Sequence, residues 1–282
     1  MNTRAVPDAP RPFFLDGSAG ALFALHLPAA GAAATREAVL LFPPFAEEMN
    51  KCRRQVMLQA RAFAASGRDV LLLDLHGTGE SAGDFGDARW DVWIDDLERG
   101  ARWLLERGAG SLCFWGIRLG AMQAFALAGG ALSSQVSRLL LWQPVVNGKG
   151  FFTQFLRLRM AAQLNTGDSG ETTASLREQL AGGESLEVAG YTVSPELAGS
   201  IDALNLKTEL PAISCPVDWV EFSTRGKGLT PASKAMVAAL EGAGVTVATH
   251  AVEGEPFWNT PETTTVDGLA SSGVAMLGAK AA

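Results

Sequence analysis

The 282 residues predict an α/β protein, a mostly parallel central sheet with helices on both faces and one inserted lid. Three observations carry that expectation. Strand-like and helix-like segments alternate along most of the chain, the pattern of parallel strands joined by crossover helices. A Gly-x-X-x-Gly turn, Gly116-Ile117-Arg118-Leu119-Gly120, joins a buried apolar run to a helical one. Between Asn147 and about Leu210 the strand rhythm breaks and then resumes, as it does when a cap is inserted into a regular core. The expected organisation is a core of 1–146 with 211–282 and a cap of 147–210.

Each element has its own signal. Ala21 to Leu27 and Ala38 to Phe42 read as the first clear strands. Asn50 to Ser66 reads as a helix stopped at Gly67. Asp69 to Leu73 is a buried strand leading into the turn Asp74-Leu75-His76-Gly77-Thr78-Gly79-Glu80-Ser81. In the helix Val92 to Arg107, Val92, Leu97, Ala101 and Leu104 share a face, with Asp95, Asp96 and Glu98 near the positive end of the dipole. Ser111 to Trp115 is a short buried strand, Leu119 to Ala128 a helix, and Arg138 to Trp142 a further strand. The cap contains an apolar-basic helix from Phe151 to Leu164, a polar loop from Thr166 to Ala174, a second helical piece and a hairpin from Leu186 to Ser194. Val217 to Phe222, a helix Pro231 to Glu241, a strand Val245 to Ala251 and a weak C-terminal helix complete the core.

Composition excludes several classes of function. Hydrophobic residues at 48% and charged residues at 19% are ordinary for a folded globular chain. A net charge of −7 without a dense Lys/Arg stripe argues against nucleic acid, and Lys51-Cys52-Arg53-Arg54 reads as a solvated helix face. Cys52, Cys113 and Cys215 are widely spaced and odd in number, which suits a reducing compartment. His26, His76 and His250 have no metal-motif spacing, so neither metal nor cofactor is expected. Met1 to Pro12 lacks the apolar core of a signal peptide, and no run approaches a membrane span. A cytoplasmic location is the expectation.

Several segments together resemble the α/β-hydrolase superfamily: Leu41-Phe42-Pro43-Pro44-Phe45, Asp74 to Ser81, the Gly116 to Gly120 turn and Leu141 to Gly148. More narrowly, Phe42 to Arg54 and Trp115-Gly116-Ile117-Arg118-Leu119-Gly120 are similar to the hydrolase 2 proteins associated with the exosortase A system. That resemblance covers roughly Ala38 to Phe155 and implies a neighbourhood of exopolysaccharide and protein-sorting machinery. It implies an ester- or thioester-hydrolase ancestry.

In the superfamily, strand, Gly-x-X-x-Gly and helix form the nucleophile elbow, whose middle residue enters the active site on a strained turn. Here that residue is Arg118, which has no reactive oxygen for an acyl-enzyme. The remaining triad positions are equally unpromising. Where histidine is expected after the last strand stand Glu255, Pro256 and Phe257, while His250 lies inside the strand. The acid position falls near Ser223, Thr224 or Arg225, and Glu221 would have to serve from within its strand. Gly167-Asp168-Ser169-Gly170 matches protease lettering only by coincidence, and Ser81 reads as a turn hydroxyl. His76 is either a hydrogen-bonding turn residue or a ligand contact at the site mouth.

An arginine at a helix N-terminus makes an anion-binding corner, together with the oxyanion amides of Leu119 and Phe45. Two partners are open to Arg118. In one arrangement Glu255, or Glu47 and Glu48 beside the oxyanion loop, fills the site with an internal salt bridge and leaves a scaffold. Otherwise Arg118 holds a small anionic or acyl ligand under the lid. A third possibility is a water-activating carboxylate, Glu255 or Glu48, working with Arg118 as an unconventional hydrolase. A protein partner in the exosortase-associated system, meeting the apolar lid at Phe151, Phe152, Phe155 and Leu156, is the fourth.

Overall fold

The computed structural model describes residues 9–30, 35–166, 170–224 and 228–278. A hairpin of β1 (Arg11–Gly17) and β2 (Gly20–Leu27) opens the chain. It is followed by β3 (Glu37–Phe42), α1 (Glu47–Ala65), β4 (Val70–Leu73), α2 (Trp90–Glu106), β5 (Ser111–Ile117), α3 (Gly120–Ala128) and β6 (Val136–Trp142). The chain then leaves the sheet for α4 (Gly148–Thr166), α5 (Thr173–Ala181), the hairpin of β7 (Leu186–Val188) and β8 (Tyr191–Val193), and α6 (Pro195–Ala203). It returns as β9 (Val217–Ser223), α7 (Pro231–Gly242), β10 (Val247–Glu253) and α8 (Leu269–Gly278).

Eight strands pair in the order β1-β2-β4-β3-β5-β6-β9-β10. The β1–β2 and β2–β4 pairs are antiparallel and every other pair is parallel. Strand periodicity of two sends successive side chains to opposite faces. Leu40, Phe42, Phe114 and Leu141 therefore join one apolar cluster with residues of α2, α3 and α7. Val39, Leu41, Trp115 and Trp142 join the other, with residues of α1 and α8. Burial on both faces explains why these strands read as continuous apolar runs in the sequence.

Two elements escaped the sequence reading. β1 starts at the end of the polar stretch and, as an edge strand, has only partial burial: Phe13 stacks on Trp103 at 4.7 Å, whereas Phe14 is exposed. The second is α6, although its start carried a signal. Ser194 accepts a hydrogen bond from the Leu197 N–H and Pro195 occupies the first turn. α1 also begins at Glu47, three residues before the expected Asn50, which brings Glu47 and Glu48 into its first turn. Among the described residues no helix is long and apolar enough to cross a membrane.

Asp96 departs from its expected role as a dipole-facing surface residue. It is fully buried in α2, where Oδ2 accepts the His76 N–H at 2.8 Å and Oδ1 has no partner among the described residues. Burial pushes its acid pKa up to about 6, against the lowering effect of the His76 N–H and ring. The native state thus holds a proton that the unfolded chain has lost, from the ordinary carboxyl value of 3.8 up to about 6. Stability from this group is therefore full below that window and lost as pH rises through it. Asp96→Asn keeps an acceptor for His76 and removes the charge. Urea unfolding at pH 7.5 is expected to show the variant more stable by about 1–2 kcal/mol, with the gain vanishing near pH 4.

Candidate functional site

The strand-to-helix turn at the end of β5 is set by steric limits. A Cβ on Gly120 would lie 2.2 Å from the Phe42 carbonyl oxygen, and one on Gly116 would lie 2.8 Å from the Ala121 Cα. Glycine at both positions lets α3 pass this close to β3 and β5. Between them Arg118 takes φ 54°, a left-handed conformation that costs a non-glycine residue about 1–2 kcal/mol. Surrounding backbone holds it there. The Arg118 N–H donates to the Trp142 carbonyl at 3.0 Å, and the Arg118 carbonyl accepts from Val145 N–H at 3.1 Å and Ala121 N–H at 3.2 Å. Ala46, the residue before α1, also has positive φ, at 50°.

The side chain of Arg118 opens onto a cavity of about 590 Å³. Phe45 and the first turn of α1 form one side, Phe151, Phe155 and Leu158 of the inserted α4 another, and Trp258 with the following loop a third. The Arg118 Nε donates to Glu48 Oε1 at 3.1 Å, and Nη1 reaches the Gln143 carbonyl at 3.4 Å. Its guanidinium carbon lies 5.2 Å from the Trp258 ring centroid and 5.8 Å from that of Phe151, within cation–π range. Glu48 is the more stressed member of the pair. Its Oε2 is buried with no hydrogen-bond partner among the described residues. Burial raises its pKa above the ordinary 4.5, outweighing the pull of Arg118.

The structure brings together only part of the expected site. Glu48 is the partner of Arg118, and Glu47 lines the same cavity, 3.8 Å from Lys51. Phe45 lines it too, and its ring meets Phe155 at 5.0 Å. Leu119 lies instead along a narrow crevice that Phe45 shares. Glu255 is a correction: it is exposed in the turn after β10 and does not line the cavity, because the turn carries Phe257 and Trp258 inward in its place. Of the two readings of His76, the structure has the turn residue and not the site-mouth contact: its N–H donates to Asp96 and its carbonyl accepts from Trp93. His76 is buried away from the cavity, its ring packed on Gly83, where a Cβ would come within 2.5 Å.

The other candidates have structural duties. His250 sits 2.9 Å from Asp218, which meets Arg138 in a network reaching Glu37 and Arg68. That network lies toward the starts of the parallel strands, whereas Arg118 follows the end of β5. Glu221 accepts from the Thr230 N–H at 3.0 Å. Ser81 donates to the Asp74 carbonyl and accepts from the Phe23 N–H, as a turn hydroxyl should. Asp168, Ser169 and Arg225 lie outside the described residues. Among the described residues no group of three or more His, Cys, Asp or Glu is placed to hold a metal ion.

Sequence reasoning missed Lys51, Gln143 and Trp258. Trp258 had a usable signal, as it lies just beyond the loop position where a histidine was sought. Lys51 follows from helix geometry once α1 starts at Glu47, because residues four apart share a face. Gln143, at φ 44°, had none: its side-chain oxygen accepts from the Phe222 N–H at 2.8 Å, a contact between separate strands.

No protein-family model matches this sequence, and no curated protein matches it. Solved structures do. Est1E from Butyrivibrio proteoclasticus, with ferulic acid bound, superposes with a TM-score of 0.64 at 11% identity over 94% of this chain and 97% of that one. A putative hydrolase from Agrobacterium vitis S4 gives 0.62 at 16% identity over 96% and 99%. An alpha-beta serine hydrolase homologue from Coxiella burnetii gives 0.57 at 16% over 95% and 97%. The chain has the α/β-hydrolase fold, with arginine as the middle residue of its elbow.

Removing Arg118 strands the Glu48 carboxylate. Arg118→Ala is expected to lose about 1–3 kcal/mol at pH 7.5, measured by urea unfolding, because a largely buried charge loses its partner. The sign with pH is fixed. Glu48 then holds its proton to still higher pH in the native state than in the unfolded chain. The deficit should therefore grow as pH rises above the ordinary 4.5 and fade toward it.

Proposed function

We propose that this chain is a non-serine α/β-hydrolase homologue that binds a small anionic ligand with an acyl or aromatic body and does not form an acyl-enzyme. One observation carries the reading: Arg118 stands at the elbow on the wall of a cavity of about 590 Å³. An internal scaffold would bring side chains into that space; here apolar rings of the inserted segment wall it and, among the described residues, one edge of the guanidinium has no hydrogen-bond partner. Arg118 would take the anionic head, with the Phe45 and Leu119 amides as further donors in the manner of an oxyanion hole. Residues 147–210 would act as the lid. The resemblance at Phe42 to Arg54 and Trp115 to Gly120 supports a place beside the exosortase A-associated hydrolase 2 proteins and their exopolysaccharide machinery. Three buried free cysteines are in keeping with a cytoplasmic protein.

A second reading has its own support in Glu48, whose unpartnered oxygen and raised pKa suit a general base. Glu48 would take a proton from water attacking an ester or thioester while Arg118 stabilises the oxyanion.

Thermal unfolding and ester hydrolysis separate these readings. Octanoate and ferulate, at ten times the Kd, should raise the wild-type Tm by about 2–3 °C. Arg118→Ala should show no such rise. No shift with either acid would sink the binding proposal. Turnover of p-nitrophenyl or thioester substrates that falls at least about 100-fold in both Arg118→Ala and Glu48→Gln would establish the hydrolase instead.

A further inference from the structure

The charged side chains lining the cavity cancel. Arg118 and Lys51 stand against Glu47 and Glu48. Lys51 and Glu47 compensate each other in the more exposed part, and Lys51 also donates to the Pro261 carbonyl at 2.7 Å. Arg118 and Glu48 form the more enclosed pair, their side chains 15% and 20% exposed. An anion arriving at Arg118 therefore meets a carboxylate already on Nε. Either that repulsion keeps it out, or Glu48 gives up its charge.

The geometry points to the second outcome, and on it rests a statement of what the site accepts. Glu48 Oε2 is sealed from solvent without a hydrogen bond, so an ionised Glu48 leaves half its charge unsatisfied. A protonated Glu48 carries no charge to leave unsatisfied, and Arg118 Nη2 has no partner among the described residues. We propose that the cavity binds a monocarboxylate together with one proton. Arg118 donates to the ligand carboxylate through Nη2, and Glu48, once protonated, no longer repels it. This deepens, and depends on, the reading of the cavity as a ligand site.

The balance of charge sets the class of ligand. The proton comes from water and stays on Glu48, so the lining gains one positive charge when one negative charge enters. A phosphate dianion would leave an uncompensated charge against Phe45, Phe151, Phe155 and Trp258. The apolar rings favour an aliphatic or aromatic tail on the carboxylate.

No other group around Glu48 is as well placed to take that proton. Cys52, one turn along α1, is buried with a thiol pKa pushed well up, so it stays neutral. Glu47 is more exposed and already meets Lys51 and Asn50. The α4 side of the cavity contributes Phe151, Gln154 and Phe155, and the loop after β10 contributes Trp258, Asn259 and Thr260, none of them charged. Burial holding the Glu48 pKa above the ordinary value is consistent with easy protonation.

Isothermal titration of the whole chain with octanoate, from pH 5.5 to 8.5 in buffers of different ionisation enthalpy, tests this. Octanoate should take up close to one proton per ligand at pH 8, and its affinity should fall about tenfold per pH unit on the alkaline side. Octyl phosphate, a dianion at pH 8, should bind at least about tenfold more weakly. Glu48→Gln, a neutral donor of the same shape, should bind octanoate without proton uptake and with a flat pH profile. Octanoate binding without uptake in the unaltered protein, or uptake that survives in Glu48→Gln, overturns this inference and leaves the ligand site standing. Octanoate binding at no pH overturns both. Because uptake is read on the unaltered protein, the test does not hinge on the folding of the variant.

Discussion

The crossing of α3 over the ends of β3 and β5 is the constraint from which the site is built. The helix approaches so closely that Gly116 and Gly120 admit no Cβ, and the residue between them is forced to φ 54°. A side chain held in that way points out of the sheet at its carboxyl end, where open α/β sheets place their ligands. In a hydrolase the strain serves to expose a nucleophile; in this chain it presents a guanidinium. Backbone bonds to Trp142, Val145 and Ala121 keep the turn in place whatever side chain it carries.

What surrounds Arg118 follows from its charge. A cation at a helix N-terminus is disfavoured by the dipole and by desolvation, and both penalties are reduced by a nearby carboxylate. Glu48 supplies it from the first turn of α1, where its own charge is favourably placed with respect to that helix's dipole. The rings of Trp258 and Phe151 add attraction without adding charge. Glu48 bears the cost of the arrangement, with one oxygen bonded and the other sealed off. A pair so constructed is responsive: one proton, or one anion, changes its balance.

The inserted segment makes this pair part of a cavity. Phe45, next to the elbow, packs against Phe151 and Phe155 of α4, tying the lid wall to the core. The β7–β8 hairpin touches the core through Tyr191, whose hydroxyl accepts from Asn50 at 2.7 Å. Asn50 also donates to Glu47, so the hairpin and the mouth of the cavity share one helical turn of α1.

Periodicity and glycine spacing in the sequence by themselves determined the parallel strands, their covering helices and the tight strand-to-helix turn, because local sterics and two-faced burial leave few alternatives for such runs. The resemblance at Phe42 to Arg54 and Trp115 to Gly120 implied Arg118, Phe45 and the two neighbouring glutamates as site residues. Only the tertiary structure decided between Glu48 and Glu255, since the choice depends on which loop turns its carboxylate inward. It alone placed Trp258 over the guanidinium, Gln143 between β6 and β9, and Asp96 in the core. Those contacts join residues tens to more than a hundred positions apart or reverse the local hydrophilic pattern. No periodicity encodes them; they arise when the strands have been ordered and the inserted segment has closed over them.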